Sequence, residues 1–97
     1  MLNKHEIINF IKTNDIKNHF HIRKIGLFGS FAKDRQTENS DIDIILELED
    51  NTENIFEIKQ ELRKMFAKKF NREIDIAREK YLKKYIKDEI LKETIYV

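Results

Sequence analysis

Gly29-Ser30 stands ten residues ahead of Asp41-Ile42-Asp43, and a further aspartate, Asp75, lies between Ile74 and Ile76. Read as a strand, Asp41 and Asp43 project from one face, roughly 7 Å apart along the chain, because side chains alternate with a period of two. Ile42, Ile44 and Leu46 then line the opposite face. Aspartate is depleted in strands, and unpaired carboxylates beside an apolar layer are costly unless a cation meets them. Mg²⁺ suits such a set, since it takes hard oxygen ligands and combines one or two carboxylates with substrate phosphates. Asp41, Asp43 and Asp75 are therefore the candidate metal ligands and catalytic residues, arranged as a two-ion phosphoryl-type transfer would need.

Gly29 is one of only two glycines in the chain and falls where a strand should turn into a short helix. Such a turn offers free backbone N–H groups, and glycine lets the backbone approach a phosphate closely. The Ser30 hydroxyl adds one more donor. Taken alone, a Gly-Ser pair is equally an ordinary capped turn, and aspartates on a strand are equally a solvated face. Their conjunction carries the signal.

The elements that must position these residues can be read along the chain. Asn3 and Glu6 form a capping box for a first helix ending near Asn14, with Ile7, Ile8, Phe10 and Ile11 on one broad face. Residues 22–28 read as a strand, 30–33 as a short helix, and 33–40 as a polar turn. Residues 41–48 form a second strand, with Glu47 continuing its outward face. Asn54 caps a long helix whose Ile55, Ile58, Leu62, Met65 and Phe66 keep helical spacing. Residues 73–77 form a third strand. Residues 81–93 form a last helix with Leu82, Ile86 and Ile90 inward, and 94–97 a tail. The expectation is an α+β (α/β) fold in the order α-β-α-β-α-β-α, with a three-stranded mixed sheet, as one domain over residues 1–97.

Composition narrows the function. With no cysteine there is no disulfide framework and no thiol nucleophile. A net charge of +1 with 38% charged residues describes a mixed surface, so direct nucleic-acid binding is not expected. No apolar run approaches the ~20 residues that span a bilayer, and the first ten residues lack a signal-peptide core, which predicts a cytoplasmic protein without membrane contact. His19 and His21 have no third partner at ligand spacing.

The tract from Gly29 to Asp43, with Phe31-Ala32-Lys33 and Ser40-Asp41-Ile42-Asp43 inside it, resembles the signature of the polymerase-β-like nucleotidyltransferase superfamily. Asp75 matches the third carboxylate of that pattern. Chain length and residues 85–97 make it similar to the minimal nucleotidyltransferases, the MNT proteins. The resemblance implies ATP as substrate, bound through Gly29 and Ser30, with two Mg²⁺ ions held by Asp41, Asp43 and Asp75. It implies a HEPN ribonuclease toxin as partner, and AMP transfer to a tyrosine hydroxyl of that toxin as the antitoxin activity. Two other readings stand beside it: a non-catalytic antitoxin that neutralises by binding, and a small-molecule nucleotidyltransferase subunit. One residue departs from the pattern. Asp34 occupies a position commonly held by glycine, which places an extra negative charge near the expected triphosphate site.

Overall fold

The computed structural model describes all residues, 1–97. The capping box forms as expected: the Glu6 N–H donates to Asn3 Oδ1 at 3.1 Å, and the Asn3 N–H donates to Glu6 Oε2 at 3.0 Å. It starts α1 (Lys4–Thr13), whose Ile7 and Ile11 are buried. A short helix α2 (Ile16–His19), absent from the sequence reading, precedes β1 (Ile22–Phe28). Then come α3 (Gly29–Ala32), β2 (Ile42–Leu48), α4 (Ile55–Phe70) and β3 (Ile74–Arg78). A 3₁₀ turn at Glu79–Tyr81 leads to α5 (Lys84–Glu93) and β4 (Ile95–Tyr96).

The sheet has four strands rather than three, in the order β3-β2-β1-β4. The segment expected to be a tail adds the fourth: Ile95 and Tyr96 pair antiparallel with Leu27 and Gly26. A two-residue strand carries no readable alternation, and its pairing is bought by a partner distant in sequence. The mixed character holds, since β1–β2 is antiparallel and β2–β3 parallel.

Register explains the two faces. Leu27 opposes Ile44, Ile25 opposes Leu46, Ile42 opposes Ile74 and Ile44 opposes Ile76. These side chains join Ile7, Ile11, Ile58, Leu62 and Phe66 in one core of 17 buried residues. Phe10 packs edge-on against Phe66 and Phe70 at 5.2 Å in both cases, locking α1 to α4. On the opposite face Gly26 lies beside Ile45, and a Cβ there would run into Thr94.

Three local expectations need correction. Asn54 does precede α4, but in a left-handed conformation (φ 51°) without a side-chain capping bond. Glu47 is buried, not outward, because its Oε1 accepts the Lys80 N–H at 2.9 Å and Arg23 lies 3.8 Å from its other oxygen. The last helix starts later than residue 81, and no residue of α5 is buried; Ile86 is exposed.

Candidate active site

Asp43 sits on β2 directly between Phe28 of β1 and Asp75 of β3, one in each neighbouring strand. The period of two therefore places Asp43 and Asp75 side by side on the face opposite the core. Asp41 falls one residue before β2 and is exposed. The Ile42 N–H donates to the Glu73 carbonyl at 3.0 Å, which fixes the start of β2 against the start of β3. Gly29 follows Phe28 at once, so the turn lands beside Asp43.

Gly29 has φ +72°, a conformation side chains rarely adopt, and a Cβ there would collide with the Asp43 carboxylate. Both facts require glycine. The Ser30 carbonyl accepts the Arg35 N–H at 2.9 Å, while the Ser30 hydroxyl has no protein partner.

Asp43 is half-buried and its carboxyl is pushed up to about 6. Burial is the largest cause, followed by the charges of Asp75, Asp41 and Glu93. Of these charges only Glu93 has a cation beside it, Lys33; Asp41, Asp43 and Asp75 form no ion pair, and that donor set of hard oxygens fits Mg²⁺. The three aspartates expected to converge do not form a ready-made group of metal ligands: Asp43 and Asp75 are neighbours across β2 and β3, while Asp41 stands just before β2. Mg²⁺ characteristically completes its shell with substrate phosphates and water, so an open protein set is compatible with it.

Residues that the sequence did not single out complete the site. Arg72, between α4 and β3, donates to the Thr37 and Ser40 carbonyls at 3.1 and 2.8 Å. It pins the loop that delivers Asp41. Glu93, the last residue of α5, accepts the Gly29 N–H at 3.2 Å and pairs with Lys33 at 2.9 Å. No local sequence signal finds either, because each acts on a segment more than 30 residues away.

Asp34 resolves differently from its sequence reading. It adopts φ 58°, the left-handed conformation that glycine favours and aspartate tolerates. Its carboxylate pairs with Lys4 of α1 at 3.0 Å. The extra charge is thereby matched by a cation on another element.

The family model described as polymerase beta, nucleotidyltransferase matches residues 5–97. Protein adenylyltransferase MntA of Thermococcus cleftensis is 28% identical over 101 residues, covering 100% of this chain and 98% of the relative. A crystal structure of a toxin–antitoxin with AMP-PNP matches with TM-score 0.67 and 25% identity, covering 98% of this chain and 72% of the other. A tri-AMPylated Shewanella oneidensis HEPN toxin in complex with MNT antitoxin matches with TM-score 0.60 at 20% identity, covering 92% of this chain and 68% of the other; that likeness is one of fold. With that match spanning the chain from α1 to its last residue, the chain belongs to the polymerase beta nucleotidyltransferase family.

Proposed function

We propose that this nucleotidyltransferase moves AMP from ATP to a tyrosine hydroxyl of a HEPN ribonuclease toxin and so acts as its antitoxin. The observation that carries the chemistry is the pairing of Asp43 with Asp75 across β2 and β3, with the Gly29 turn at the end of β1 packed against the Asp43 carboxylate. It sets a phosphate-sized donor turn beside a pair of carboxylates. The relatives support the acceptor: one is named a protein adenylyltransferase, and one solved complex holds an AMPylated HEPN toxin with an MNT antitoxin.

In this reading Asp41 and Asp43 would hold the ion that accompanies the triphosphate, and both would hold a second together with Asp75. Bound there, Mg²⁺ would neutralise phosphate charge and polarise the phosphoryl oxygens. The Gly29 and Ser30 N–H groups and the Ser30 hydroxyl bind the β- and γ-phosphates. The acceptor oxygen attacks the α-phosphorus, the bond to the β-phosphate oxygen breaks, and pyrophosphate leaves. Asp75, exposed on β3, orients the hydroxyl and takes its proton.

The test is direct. Purified partner toxin, Mg²⁺ and α-labelled ATP are incubated with the chain, and label is sought on the toxin. Transfer that stops on chelation supports the reading; a toxin that stays unlabelled under every metal tried overturns it.

A further inference from the structure

The Glu93 carboxylate spans two donors at once, accepting the Gly29 N–H through Oε1 at 3.2 Å and pairing through Oε2 with Lys33 Nζ at 2.9 Å. A carboxylate is the same class of acceptor as a phosphate oxygen, and both form charge-assisted bonds to N–H and ammonium donors. The single Gly29 N–H cannot serve both at once, and the negative Glu93 carboxylate beside Lys33 repels an incoming phosphate. Glu93 is a quarter exposed and Lys33 is more open still, so an incoming anion can reach the pair.

We propose that Glu93 is a built-in competitor for nucleotide phosphate. It closes the Gly29 and Lys33 donors in the nucleotide-free protein and is displaced when the triphosphate enters, which frees Lys33 to pair with phosphate. The inference rests on the nucleotidyltransferase reading of this site. Two features of the fold suit such an exchange. A groove of ≈ 450 Å³, lined by Lys33, Tyr85, Ile86, Glu89, Ile90 and Glu93, adjoins the pair and gives the displaced side chain room. Glu93 is the last residue of α5, and none of the helix's side chains belongs to the buried core, so its carboxylate can change partners without opening that core.

Glu93→Gln is the decisive variant. The amide oxygen can still accept the Gly29 N–H, but the charge that repels phosphate and holds Lys33 is gone. Calorimetric titration with Mg²⁺–AMP-PNP should show about tenfold tighter binding than wild type, the size of change a single partly screened like-charge contact supplies. Glu93→Ala should tighten binding as well, at some cost in melting temperature. A purely structural role predicts lower stability with unchanged or weaker binding, and that result overturns the proposal. A second readout follows amide resonances of wild type during titration with Mg²⁺–pyrophosphate. Gly29, Glu93 and Thr94 should shift together; a Gly29 shift without the other two overturns it. These arms need no AMP transfer. If competition is observed but no toxin is labelled, the competitor role stands and the transfer reading falls. If neither wild type nor Glu93→Gln binds either anion, both fall.

Discussion

The Asp43 carboxylate lies in the space that a side chain on Gly29 would fill. The turn and the strand that carries Asp43 are therefore fitted to each other, and their close approach depends on the absence of a side chain at residue 29. Gly29→Ala should cost about 1–2 kcal/mol from the left-handed backbone alone, and more from the collision. We expect a melting temperature several degrees lower and AMP transfer reduced at least roughly tenfold, because a displaced Asp43 misplaces its ion. Adding Asp43→Ala to Gly29→Ala should recover part of the stability and none of the activity. Additive stability losses in that double-mutant cycle would contradict the fit.

Asp43 also gives a signed pH dependence. Its folded value of about 6 lies above the ordinary 3.8, so between these values the folded state holds a proton that the unfolded chain has released. Stability contributed by the protonated form is present below about 4 and is lost as pH rises through about 6. Asp43→Asn should therefore melt above wild type at pH 8 without metal, and the gap should close towards pH 4. The apparent Mg²⁺ affinity of wild type should fall as pH drops through 6, because the protonated carboxyl no longer ligates. Thermal melts and metal titrations across pH 4–8 check both; a gap independent of pH would contradict the assignment.

Arg72 should matter more than its place outside the motif suggests. Its two bonds to the Thr37 and Ser40 carbonyls hold the approach to Asp41. Arg72→Ala should lose about 1–2 kcal/mol of stability, given a partly exposed charged donor. Amide exchange should speed up over residues 36–41 and stay slow in β1. Unchanged exchange there would remove Arg72 from the site.

Asp34→Gly should be close to neutral. Glycine relieves the left-handed backbone, while the variant loses an exposed pair with Lys4 and gains unfolded-state entropy. Stability should stay within about 1 kcal/mol, and AMP transfer should be retained. A large gain in activity would show that the Asp34 charge acts on the triphosphate despite its pairing with Lys4.

Much of the site was legible because its parts lie on regular elements. Asp43 and Asp75 each stand between isoleucines, and alternation alone sends them to the face away from the core. Gly29 was legible because glycine is scarce here. The rest depended on partners far along the chain. Glu47 reads as an outward residue until Lys80 and Arg23 close over it. Ile95–Tyr96 is a strand only because Gly26 lets it approach β1. Ile86 fits an apolar helical stripe, yet α5 buries nothing. Asp34 reads as an intruding charge until its backbone and its bond to Lys4 are seen.

On the proposed function, catalysis and not contact neutralises the partner. The most direct measurement is the intact mass of the toxin after co-expression with substoichiometric wild-type chain or with Asp41→Asn/Asp43→Asn, alongside growth. Losing the ion-binding carboxylates should slow transfer roughly a thousandfold or more, while the core and the fold stay intact because Ile42 and Ile44 face the other way. AMP on the toxin and rescued growth are expected with wild type. With the variant, an unmodified toxin that still co-purifies with the chain and no rescue are expected. Equal rescue by both chains with an unmodified toxin would contradict that proposal and leave stoichiometric binding as the function.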